Sequence, residues 1–119
     1  MDKARRSVSY GNKQIRIIED GIDSIGMALY HGSEEEKASI LLCLDKFLDP
    51  YYGHHLPYES DIFILLQNLL FEDNSTDIKE DILDLLLYSK QPLDVLECGL
   101  GKLSDELLSH AKYILYGLE

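Results

Sequence analysis

Residues 60–91 read SDIFILLQNLLFEDNSTDIKEDILDLLLYSKQ, and the two apolar periods in this stretch decide the fold class. In the first, Ile62, Phe63, Ile64, Leu65, Leu66, Leu69, Leu70 and Phe71 wrap nearly all round a helix over 58–71. A helix patterned that way is buried on several sides, so it is expected at the centre of the fold. In the second, a turn of about 100° per residue places Asp77, Glu80, Asp81 and Asp84 on one stripe, and Tyr88 extends it. Ile78, Ile82, Leu85 and Leu86 form the neighbouring apolar face. Glu72-Asp73-Asn74-Ser75 makes the turn between the two periods, and Asn74, Ser75 or Thr76 supplies the N-cap of a helix predicted over 76–89.

Outward from this pair the same period recurs. Upstream, Ile15, Ile18, Ile22, Ile25 and Leu29 predict one helix over 12–30, ended at His31-Gly32. Gly21 and Gly26 weaken it by roughly 1 kcal/mol each, so tertiary packing has to hold it. A short turn or helix over 3–10 is a further option. Ser33 and Glu36 have capping-box spacing, with Glu34 and Glu35 also placed for the helix dipole, and the following helix runs to about residue 49, before Pro50. Downstream, Gln91-Pro92 restarts the chain with proline in a first helical turn, Leu93, Leu96 and Leu100 give a short helix, and Gly99 and Gly101 end it. Ser104 is expected to cap a last helix whose Leu107, Leu108, Ala111, Ile114 and Leu115 face the core. No useful period-two alternation is present, so the expectation is an all-α domain of about six helices over 1–119, stacked as antiparallel helical hairpins.

Charge is distributed unevenly. The chain has a formal charge of −11, but residues 1–16 hold Lys3, Arg5, Arg6, Lys13 and Arg16 against Asp2 alone. The N-terminal stretch is therefore +4 and the rest −15, with residues 1–11 read as a basic flexible arm. An acidic body repels nucleic acid and anionic lipid and favours a basic protein surface, although acidity also serves solubility alone. A 45% hydrophobic, 28% charged chain falls in the globular class, so folding is expected without a partner. Cys43 and Cys98, both in apolar helical contexts, suit buried free thiols in a reducing compartment. With no apolar signal core and no apolar run near the roughly 20 residues that span a bilayer, a cytoplasmic location is expected.

Two stretches are candidate binding surfaces. On the acid stripe, four like-charge pairs at helical spacing cost about 1 to 2 kcal/mol in sum. The helix dipole offsets part of this for Asp77, Glu80 and Asp81, whereas Asp84 lies beyond the first two turns. Asp84 with Tyr88 therefore favours a partner-binding face over a merely solvated one. The second stretch is PYYGHHLPY, 50–58, a loop with Tyr51, Tyr52, His54, His55 and Tyr58. Tyrosine gives large contact area at low rotamer cost, so recognition competes here with rings that fold back over the core. Metal binding by His54 and His55 is a third option; adjacent histidines lack one-turn spacing, and the third ligand would come from Glu59, Asp61 or His110.

Catalytic signatures are absent: the sequence holds no Gly-rich phosphate loop, no helical His pair with an intervening glutamate and no nucleophile elbow. The carboxylates of a convex helical stripe stay hydrated, without the burial that separates the pKa values of an acid/base pair. No enzyme activity, cofactor or metal is expected.

The segment 60–91 resembles a HEAT-like helical hairpin, with Ile62, Leu66 and Leu69 on one helix and Ile82, Leu85 and Leu86 on the next; the likeness extends over about 33–117. It departs from that pattern in the long loop at 50–57 and the short helix after Pro92. In its small size, acidity, helical pattern and acid stripe beside tyrosines, the chain also resembles immunity proteins of bacterial contact-dependent inhibition and related toxin systems. That resemblance implies an inhibitor that binds a cognate toxin domain, often a basic nuclease, and occludes its active site or substrate cleft. Asp77, Glu80, Asp81, Asp84 and Tyr88 would then form one contact face, and the loop from Tyr51 to Tyr58 another. The alternative expectations are a HEAT-like adaptor or scaffold for a peptide or protein, and a metal-dependent enzyme using His54 and His55.

Overall fold

A computed structural model describes residues 8–52 and 56–117, with the side chain of Tyr52 outside the described set. Seven α-helices and no strand occur among the described residues: α1 Asn12–Asp20, α2 Ile22–His31, α3 Glu34–Leu48, α4 Glu59–Leu69, α5 Thr76–Leu86, α6 Asp94–Cys98 and α7 Asp105–Tyr116. Short 3₁₀ turns occupy Pro50–Tyr52 and Leu100–Lys102. The chain is all-α, as its apolar periods require. None of the described helices is long and apolar enough to cross a membrane.

The predicted helix over 12–30 is two helices, and Gly21 is the reason. Its φ of 120° and ψ of −179° lie where side chains with a Cβ rarely go. The break ends α1 and starts α2 in a new direction, so Ile18 enters the core from one helix and Ile25 and Leu29 from the other. α1 packs on α2 and α3, while α2 reaches α3 and α4. Gly26 stays inside α2.

Local signals start the next helices. Ser33 Oγ accepts from the Glu36 N–H at 3.1 Å, and Glu36 Oε1 accepts from the Ser33 N–H at 2.9 Å, closing the capping box of α3. These bonds hold the Glu36 carboxyl below its ordinary value. Ser75 is the N-cap of α5, its Oγ accepting from the Ile78 N–H at 3.2 Å. Asn74 ties the preceding turn down instead: it accepts from Lys37 Nζ at 2.7 Å and donates to the Leu69 carbonyl at 3.1 Å. Ser104 occupies the N-cap position of α7 but makes no side-chain cap bond.

One apolar cluster runs from Ile18 to Ala111. The centre is shared by α4, packed on α2, α5 and α6, and α5, packed on α3, α4 and α7. Ile62, Phe63, Leu66 and Leu69 of α4 are buried, each burial contributing roughly 1.5 to 3 kcal/mol. Gln67 is buried with them, at 2% exposure. Its Nε2 donates to the Phe63 carbonyl at 3.2 Å, and its Oε1 accepts from the Leu96 N–H at 3.0 Å. The second bond is a cap supplied from another helix. α6 begins at Asp94 rather than at Pro92, and Leu93 at its N-cap has no side-chain acceptor, so the orphan N–H of its first turn is satisfied from α4.

The cysteines differ from expectation in one case. Cys43 is buried, and burial pushes its thiol up to about 11. Cys98 is exposed: on the five-residue α6 it lies two positions, about 200°, from Leu96, the residue facing the core.

Candidate functional site

α5 ends at Leu86, three residues before the predicted end, and this redirects the last member of the acid stripe. The N–H groups of Tyr88 and Ser89 bond back to the carbonyls of Leu85 and Leu86 at 3.1 Å, a tight closing turn. Tyr88 thereby leaves the helical stripe and crosses to α3, where its hydroxyl donates to Asp45 Oδ1 at 2.6 Å. That bond, then burial, and then the carboxylates of Asp45, Asp49 and Asp84 raise the phenol well above its ordinary pKa. Asp45 is therefore the residue that links the stripe to a second helix, and sequence reasoning missed it.

Below this strut lies a groove of about 550 Å³ between α3 and α5. Ala38, Leu41 and Leu42 of α3, Leu85 and Leu87 of the α5 end, and Val8 give it an apolar lining. Asp45, Asp81, Asp84 and Tyr88 supply its polar wall. The expected convex stripe is thus, over its second half, one side of a concavity. This volume, with mostly apolar lining and a few polar groups, is typical of sites that take a small ligand or a side chain. The chemistry fits a cation carried on an apolar stem, with carboxylates for the charge and leucines for the methylenes.

The stripe divides accordingly. Asp81, Asp84 and Tyr88 line the groove, whereas Asp77 and Glu80 stand on α5 outside that lining. Asp84 also meets α7, with His110 Nε2 3.4 Å from its Oδ1. The side chains there are 54% and 29% exposed, so the pair is worth at most about 1 kcal/mol.

The loop is divided as well. Its start is tied to the end of α3 rather than to the groove lining: the Tyr51 N–H donates to Asp49 Oδ1 at 2.9 Å, and Asp49 is one of the carboxylates acting on Tyr88. The Tyr51 ring is 89% exposed. Tyr58, at the other end, is half-buried, and its hydroxyl donates to the Ile18 carbonyl. Ile18 is in the last turn of α1, where its carbonyl also accepts the Gly21 N–H at 3.3 Å, so Tyr58 adds a second donor at the helix end that Gly21 opens. Burial, followed by Glu19 and Asp20, raises its phenol. His54, His55 and the Tyr52 side chain lie outside the described residues.

No group of three or more His, Cys, Asp or Glu residues is placed to hold a metal among the described residues. The comparisons with known proteins add no name: no protein-family model, curated protein or solved structure matches the chain.

Proposed function

We propose that this chain is an immunity protein that binds and neutralises a basic toxin domain, and that the α3–α5 groove receives the toxin's cationic side chains. The observation that carries the reading is the groove itself: three aspartates, Asp45, Asp81 and Asp84, around an apolar floor, in a chain of net charge −11. A nuclease positions lysine, arginine or histidine for phosphate. Carboxylates that meet those groups take the place of the nucleic acid, and the charge of the whole body speeds encounter. The protein acts here by binding in the cytoplasm, without catalysis. Tyr51, exposed beside Asp49, extends the contact face from the groove to the loop.

The test is growth rescue and affinity with the toxin domain encoded next to this gene. Wild-type protein should restore growth and bind in a salt-sensitive manner, and Asp81→Lys with Asp84→Lys should weaken binding about tenfold or more. Glu80→Ala, outside the groove, should bind as wild type. Undiminished binding by the double lysine variant would remove the groove from the contact face. Absence of rescue, with recovery of a non-toxic peptide ligand for the same groove, would favour a HEAT-like adaptor.

A further inference from the structure

We infer that α2 and α4 together carry a second docking surface, separate from the α3–α5 groove, for a partner's amphipathic helix that is apolar along one stripe and basic at both ends. At the starts of the two helices, the Tyr58 hydroxyl at the N-cap of α4 donates to the Ile18 carbonyl, close to Gly21 at the N-cap of α2. At their ends, Tyr30 of α2 and Asn68 of α4 line one cavity. The two packed helices therefore run side by side in the same direction. Met27 lies one turn before Tyr30 and Ile64 one turn before Asn68, so the two adjoin. Met27 is 63% exposed, Ile64 45% and Tyr30 41%.

The stripe leads into the cavity, of about 590 Å³, where Phe71, Val95 and Cys98 continue the apolar lining. Core packing does not account for large apolar side chains left in water, and a contiguous patch of them marks an interaction site. Methionine and tyrosine are also residues that such sites favour. Charge fixes the kind of partner. Asp23 and Asp61 stand one turn before Met27 and Ile64, while Glu72 and Asp94 line the cavity at the other end with a single base, Lys102. The helix dipole gives Asp23 and Asp61 a use of their own, but no such use accounts for the exposed Met27 and Ile64 beyond them. A helix laid along the α2–α4 seam sets leucine-sized side chains on Met27 and Ile64 and in the cavity, with its terminal lysines or arginines against the two acidic ends. From Asp61 to Glu72 is about 16 Å, the length of roughly eleven helical residues. A second copy of the chain would set these acids against their own kind, in a molecule of net charge −11. None of these residues lines the α3–α5 groove, so the surface stands whether or not that groove receives a toxin.

The probe is a capped, alanine-based peptide of about 15 residues, long enough for an isolated helix to form, with leucines on one stripe and lysines at both ends. Added to the full chain, it should shift the amide resonances of Met27, Tyr30, Ile64 and Asn68 and leave those of Leu42 and Leu85, in the α3–α5 groove, in place. Met27→Glu with Ile64→Glu should weaken binding about tenfold or more. Attraction to charge alone would make this variant bind more tightly, so the sign decides. Asp61→Asn with Asp94→Asn should weaken binding severalfold, and by more at low salt than at high. A peptide with serine in place of leucine should bind about tenfold more weakly. The inference is overturned by shifts confined to the groove, or by M27E/I64E binding as tightly as wild type or tighter. It is also overturned by a wild-type dimer in sedimentation that M27E/I64E abolishes, which would assign the stripe to a second copy. If that variant does not fold, unchanged affinity in D61N/D94N overturns it instead.

Discussion

Between α4 and α6 a polar side chain is walled in; between α3 and α5 several line an open groove. Gln67 has both ends of its amide bonded to backbone, one within α4 and one across to α6. Asp81 and Asp84, by contrast, stand one turn apart on the same wall, a like-charge spacing that opposes the helix by roughly 0.2 to 0.5 kcal/mol. The first arrangement fixes where α6 sits. The second gathers charge over leucines at a small cost to the helix that carries it, which is what a binding surface requires and a structural one does not.

The sharpest way to separate the two regions is Gln67→Ala. It removes the side chain that caps α6 at Leu96 N–H and leaves a gap among Phe63, Leu66 and their neighbours. The expected loss is about 2 to 4 kcal/mol, read as a lower urea midpoint at unchanged slope, with toxin binding at the groove intact. Next comes Gly99→Ala in the same region. A Cβ there would lie 2.2 Å from Phe71 Cζ, with no neighbouring atom within 4 Å of the equivalent position at Gly101. Overpacking should cost about 1 to 3 kcal/mol, while Gly101→Ala should change the midpoint little. If groove binding falls together with stability in either variant, the two regions are not independent.

The same contrast explains what the sequence made legible. Ser33, Glu36 and Ser75 announce their helices because a cap acts over three residues, and the apolar periods of α3, α4 and α5 are likewise local. Gly21 gave only a propensity cost; whether a glycine bends, breaks or merely weakens a helix depends on what packs around it. Gln67 left a faint signal, the first of two adjacent amides in the run ILLQNLL, that a purely apolar reading passed over. Asp45 left none, since its partner Tyr88 is 43 residues away and nothing in the spacing pairs them. The acid stripe was visible as a stripe, but its division into groove-lining and outward residues depends on where α3 lies. Of the loop tyrosines, Tyr58 is used by the end of α1, an opening that exists only because of the break at Gly21.

The smallest effect belongs to the strut over the groove. Tyr88→Phe deletes one half-buried hydrogen bond to Asp45, so about 0.5 to 1.5 kcal/mol should be lost near neutral pH. Its pH dependence identifies the source. The phenol's pKa is raised above its ordinary value of 10.0 because the protonated hydroxyl donates a hydrogen bond to Asp45 and burial disfavours the phenolate. With the folded value above the unfolded one, the contribution is complete below about pH 10 and is lost as the pH rises through the folded value. Wild type therefore sheds this stability in alkaline solution, and the phenylalanine variant has none of it to shed. Urea midpoints at about pH 8 and pH 11 should show the gap between the two proteins narrowing at the higher pH. A gap that stays constant would mean that Tyr88 stabilises the groove through its ring against the core, and that the bond to Asp45 contributes nothing.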